Sequence, residues 1–136
     1  PAGIANYTMR TDVVWMEMID IRSVLAARAE SLTSRDPDLA VQYTVYSDDK
    51  NEWGIMHVLG RDDRVVGVEF FETEDSWKRP NAVRDYNLAV DEGYPVAVIV
   101  PDNSFAEFRR LAVDQGIEGF TTYLYSDLDI RPAIRA

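Results

Sequence analysis

Val65-Val66-Gly67-Val68-Glu69-Phe70-Phe71-Glu72 and, some two dozen residues later, Pro95-Val96-Ala97-Val98-Ile99-Val100-Pro101 decide how this chain is read. The first stretch is rich in β-branched and aromatic residues, which suits a pleated, half-buried strand. The second is short, β-branched and bounded by proline on both sides, which predicts a central strand buried on both faces. Ala82, Val83, Tyr86, Ala89 and Val90 lie between them at helical spacing, and Gly93 closes that helix as a C′ glycine. Pro80 is tolerable only near a first turn, so the helix is expected to begin close to Arg79. A strand, a helix and a second strand in that order imply a parallel crossover.

Towards the N-terminus, Val41-Gln42-Tyr43-Thr44-Val45-Tyr46 alternates and predicts a strand, and Trp53 to Leu59 a second. The polar turns Ser47–Asn51 and Gly60–Arg64 join these and the Val65–Thr73 strand into an antiparallel meander. Val14, Met18, Ile21, Leu25 and Leu32 recur at helical spacing and predict a helix from about Thr11 to Leu32, ended before Pro37. Towards the C-terminus, Ser104-Phe105-Ala106-Glu107 reads as a capping box opening a helix that runs to about Gln115. Thr121 to Tyr125 suits an edge strand, and Asp127 to Ala136 has no periodicity. The expectation is one α/β domain over residues 1–136 with a mixed five-stranded sheet.

The formal charge is −10, from 24 acidic and 14 basic side chains. Such a surface repels phosphates on average, so nucleic acid is not the expected partner. Cysteine is absent, which removes disulfide and thiolate chemistry. No apolar run reaches membrane-spanning length and the start lacks a signal-peptide pattern, so a cytoplasmic protein with no membrane association is expected. No glycine-rich phosphate loop occurs. With one histidine and no cysteine, a zinc site would have to be mostly carboxylate. His57 shares its predicted strand face with Trp53, Ile55 and Leu59, and is read as a partly buried structural residue.

The element order α-β-β-β-α-β over Thr11–Pro101, with Glu69 on the third strand, resembles the αβββαβ core of the PD-(D/E)xK, or restriction endonuclease-like, superfamily. A C-terminal αβ unit is added here. The resemblance implies a divalent ion, Mg²⁺ or Mn²⁺, held by hard carboxylate oxygens, with a cation near the scissile phosphate. Carried over, Glu69 stands at the Glu position, and Asp62 or Asp63 in the preceding turn at the Asp position. Glu17 on the first helix stands where some members add a carboxylate. The strand lysine is replaced by Phe71, and Lys78 or Arg79 near the following helix is the available substitute. That departure, with the acidic charge, favours a non-catalytic nuclease-like domain over a metal nuclease. Its expected work is protein interaction or assembly as a homodimer, without cofactor. The alternative is a divalent-metal nuclease acting on DNA or RNA, with Glu69 and Lys78 catalytic and Asp62, Asp63, Glu69 and Glu17 at the metal. A third idea is an acidic surface that mimics nucleic acid towards a basic partner.

Three further readings concern particular side chains. Glu69 lies among apolar neighbours, so it must be paired or metal-bound; the favoured reading is that the sheet face becomes solvated there and Glu69 pairs with an arginine. Glu72, Glu74 and Asp75 read as a solvated acidic loop suited to a helix start. Trp15, Trp53 and Trp77 read as core or interface anchors.

Overall fold

A computed structural model describes residues 18–117, 119–131 and 134–135. Its elements are β1 (Met18–Ile19), α1 (Ile21–Arg35), β2 (Ala40–Ser47), β3 (Glu52–Leu59), β4 (Val65–Phe71), α2 (Ala82–Asp91), β5 (Val96–Val100), α3 (Phe105–Asp114), β6 (Thr121–Leu124) and β7 (Ile134–Arg135). Strands β2 to β6 form a mixed five-stranded sheet in sequence order. The β2–β3 and β3–β4 pairs are antiparallel, and the β4–β5 and β5–β6 pairs are parallel. The α/β class and the mixed five-stranded sheet therefore agree with the sequence reading.

Local chemistry explains most of the turns. In the β2–β3 turn, Asp48 Oδ1 accepts from the backbone N–H groups of Lys50 and Asn51, both at 2.8 Å. Those two N–H bonds, Lys50's first, also lower the Asp48 pKa, because they stabilise the carboxylate. The β3–β4 turn tightens into a 3₁₀ turn in which Asp62 and Asp63 adopt left-handed backbone, a conformation Asp tolerates better than bulky residues. Gly93 ends α2 with φ 91°, where a side chain would be strained.

The sheet separates two apolar layers. On one face, Ile21, Val24 and Leu25 of α1 pack on Met56, Val58, Phe71 and Ile99. On the other, Tyr86 and Ala89 of α2 and Phe108 of α3 pack on Val68, Phe70, Val98 and Val100. Alternating residues of β4 and β5 thus feed opposite layers. Val98, Ile99 and Val100 are fully enclosed, as a central strand requires.

The structure corrects several expectations. Helix α1 begins at Ile21, not near Thr11; Asp20 caps it, its Oδ1 accepting from Arg22 N at 3.2 Å. Thr11 to Glu17 lie outside the described residues, as does Trp15. Met18 and Ile19 pair antiparallel with Arg135 and Ile134, so the stripe residue Met18 is in a strand, and the aperiodic tail contributes one too. Two-residue strands carry no detectable period, and only pairing defines them. Helix α2 begins at Ala82, after a 3₁₀ turn over Ser76–Lys78. The Ser104 hydroxyl donates to the Glu74 carbonyl at 3.1 Å and makes no cap on α3, so the capping box does not form.

A bulge opens β4: Leu59 faces Val65 and Val58 faces Gly67, leaving Val66 as the extra residue. Alternation slips there, and Val65 joins the α2/α3 layer rather than the face of Glu69. Among the described residues no helix is long and apolar enough to cross a membrane.

Candidate functional site

Beyond the bulge, Glu69 emerges on the α1 side of β4, opposite Ala97 of β5 and Met56 of β3. One turn of α1 brings Arg28 over it. Arg28 Nε donates to Oε1 at 2.9 Å and Nη2 to Oε2 at 2.8 Å. The two side chains are 12% and 14% exposed. This planar two-point contact is the strong form of an arginine–carboxylate pair. It occupies both oxygens that a metal would use. The pair lines a recess of about 350 Å³ floored by Gly67 and Ala97 and flanked by Leu32 and Tyr123. At Gly67 an added Cβ would meet only the Pro95 carbonyl, at 3.8 Å.

The other expected site residues are scattered. Asp62 and Asp63 sit in the exposed turn at the far end of β4, on the order of 20 Å from Glu69 at the rise of an extended strand. Lys78 is exposed and its ammonium contacts Asp75 at 2.9 Å. The hydrogen bond and then the charge of Asp75 raise the Lys78 pKa. Glu17 lies outside the described residues. Among the described residues no three His, Asp or Glu side chains come together as a metal site. Phe71 is fully buried in the α1 layer.

Three residues further along, on the opposite side of the sheet, lies a denser polar cluster. Glu72 is fully buried, which corrects its reading as part of a solvated loop. Its Oε1 accepts from Ser76 Oγ and Arg79 Nη1, each at 2.6 Å, and its Oε2 from Tyr86 OH at 2.6 Å. Its backbone carbonyl accepts from the Tyr125 hydroxyl at 2.5 Å, and its N–H donates to the Ile99 carbonyl at 2.9 Å. Arg79 is buried as well; its guanidinium lies 3.9 Å from the Trp53 ring centre and 3.8 Å from Asp85. Glu72, the residue after β4, therefore reaches the 3₁₀ turn and α2 through its carboxylate and the C-terminal turn through its backbone carbonyl.

Burial raises the Tyr86 pKa well above the ordinary tyrosine value, and the charge and hydrogen bond of Glu72 add to it. Tyr125 is raised for the same leading reason, with Glu72 and Glu74 contributing charge. Both phenols stay protonated donors. Ser76, Arg79 and Tyr86 thus engage both oxygens of the buried Glu72 carboxylate and link the turn after β4 to α2.

The remaining acids of that stretch divide. Glu74 Oε2 accepts from Ile19 N at 3.3 Å, tying β1 to the sheet, and Asp75 stays exposed beside Lys78. Trp77 is buried edge-on to Phe108 with ring centres 5.9 Å apart, a core anchor rather than a surface contact. His57 is exposed, not partly buried, because α2 leaves the β2–β3 end of its sheet face uncovered.

Sequence reasoning placed Glu69 on its strand but did not name Arg28, 41 residues away. It also missed the Glu72 cluster. The available signal was the alternation itself, since Glu72 continues the face of Val68 and Phe70. A scan of the chain against protein-family models finds no match, and neither does a search of curated proteins.

Proposed function

We propose that this chain is a nuclease-like domain that performs no phosphodiester chemistry and works by protein assembly, as a homodimer. The observation that carries the reading is the two-point Arg28–Glu69 contact. In a PD-(D/E)xK-type site the strand glutamate offers its oxygens to a divalent ion, and a guanidinium seated on both of them competes for that position. The order of β2 to β5 supports the restriction endonuclease-like type, with an antiparallel meander followed by a parallel crossover. The aromatic Phe71 in the lysine position and the charge of −10 support the loss of chemistry on nucleic acid.

The test has two parts. Incubation with single- and double-stranded DNA and RNA in Mg²⁺ or Mn²⁺ is expected to leave every substrate intact. Cleavage that Glu69→Ala abolishes would replace this reading with the metal nuclease. Light scattering behind a sizing column is expected to give twice the chain mass.

A further inference from the structure

The α2 side of the sheet is covered only in part. Helices α2 and α3 pack over β4 and β5. On β2 and β3 that side is left open: Tyr46 and His57 are exposed there, and Trp53 and Ile55 are half-buried. The open strip is two strands wide, about 10 Å at the usual strand spacing. Helices packed side by side lie about 8–10 Å apart, so the strip has room for one helix beside α2. A cleft of about 300 Å³ runs between β3 and α2 where the two would meet. Tyr46 and Trp53 stack across the strands at one end of it, their ring planes 16° apart. Leu88 of α2 stands 54% exposed on its wall. The charge of the cleft is one-sided: Asp85 and Glu92 line it, and no lysine or arginine does. Glu92 joins none of the ion pairs among the described residues. It caps the C-terminal end of α2, whose last turn holds no basic residue, and the helix dipole adds negative charge there. Asp85 contacts Arg79 only at 3.8 Å, beyond hydrogen-bond reach, while that guanidinium donates to Glu72 at 2.6 Å.

We infer that this cleft docks a basic amphipathic helix of a partner protein, one with arginines two turns apart and apolar side chains between them. The inference goes beyond the homodimer reading and does not depend on it. Asp85 and Glu92 stand two turns apart on one face of α2, about 10 Å along its axis, with Leu88 between them. A partner helix repeats its own face with the same period. Arginines at its positions i and i+7 reach both acids together, while apolar residues at i+3 and i+4 cover Leu88, Ile55 and the aromatic pair. A guanidinium suits the place because it forks to a carboxylate and stacks on an aromatic ring. Arg79 of the chain itself stacks on Trp53 in this way, 3.9 Å from the ring centre. Opposite charges across a groove also select the partner and fix its register.

His57 is the chain's one histidine and lines the cleft, so its ring signals in an NMR spectrum are a unique reporter. The probe is a synthetic helical peptide with arginine at i and i+7 and leucine at i+3 and i+4; a second peptide carries glutamate at both arginine positions. Titrating the full chain with the arginine peptide is expected to shift the His57 signals to saturation, and the glutamate peptide to leave them in place. Leu88→Lys and Glu92→Lys, both at exposed positions, are expected to retain the circular dichroism spectrum and to weaken binding about tenfold or more. Val113→Lys, exposed on α3, is expected to leave binding unchanged. An arginine peptide that leaves the His57 signals unmoved, or that binds Leu88→Lys and Glu92→Lys as tightly as the unsubstituted chain, overturns the cleft assignment. A mass by light scattering that falls to one copy on Leu88→Lys alone shows a second copy in the cleft and overturns the partner helix. An unsubstituted chain that stays monomeric while the peptide binds as expected overturns only the homodimer.

Discussion

Glu69 and Glu72 stand three residues apart on neighbouring backbone, and each is met by an arginine, yet they do different work. Glu69 faces α1 and is held by one side chain at the wall of an open recess. Glu72 faces α2, has no exposure, and is held by Ser76, Arg79 and Tyr86 together. The first is a local clasp between one helix and the sheet. The second joins four pieces of chain, with Tyr125 bonded to its backbone. A carboxylate's partners, more than its depth along a strand, set what its loss costs.

The largest expected effect follows from that difference. Glu72→Ala strands the buried Arg79 guanidinium, and a broken buried pair costs roughly 3–5 kcal/mol; urea unfolding should show the midpoint falling accordingly. Arg28→Ala removes two charge-assisted hydrogen bonds from a site that water can reach. Its cost is expected near 2 kcal/mol by the same measurement. A destabilisation by Arg28→Ala equal to that of Glu72→Ala would erase the contrast. Tyr86→Phe takes away one of the three donors to Glu72 and should cost about 1.5 kcal/mol, since hydrogen bonds to charged groups sit at the upper end of the usual scale.

Alkali sharpens the same comparison. The Tyr86 and Tyr125 phenols have folded-state pKa values above the ordinary value of 10.0. Between that value and the folded one, the unfolded chain has lost protons that the folded chain keeps. Stability is therefore complete below pH 10 and falls as pH rises beyond it. Tyrosinate absorbance should show these two phenols ionising only as the chain unfolds, and Tyr86→Phe should flatten the alkaline fall. The smallest effect is expected at Lys78→Ala, whose exposed pair with Asp75 should leave the melting temperature within error.

Much of the fold was legible because its signals are local. Alternation in Tyr43–Val45 and Val68–Phe70, the proline-bounded run Val96–Val100, and the helical spacing of Ala82, Tyr86 and Ala89 each lie within one element. They gave the element order and the meander-then-crossover topology. The bulge at Val66 shows the limit: one extra residue moved Val65 to the other face, and nothing in the alternation announced it. The start of α1 was misread because Met18 fits the helical stripe of Ile21, Leu25 and Leu32 as well as it fits a strand beside Ile19. Their pairing with Ile134 and Arg135 spans almost the whole chain.

The candidate site was legible only in half. The sequence by itself determined that Glu69 lies on a β-strand among apolar neighbours and needs a partner, and that β2 carries no charge. Each follows from residue type and spacing. Only the tertiary structure decided that the partner is Arg28, that Glu72 is buried among Ser76, Arg79 and Tyr86, and that β2 lies at an edge of the sheet formed by the described residues. Those facts depend on which elements cross which faces of the sheet, and long-range packing, set by the whole apolar pattern at once, is what chooses among the helices and strands that local spacing leaves equivalent.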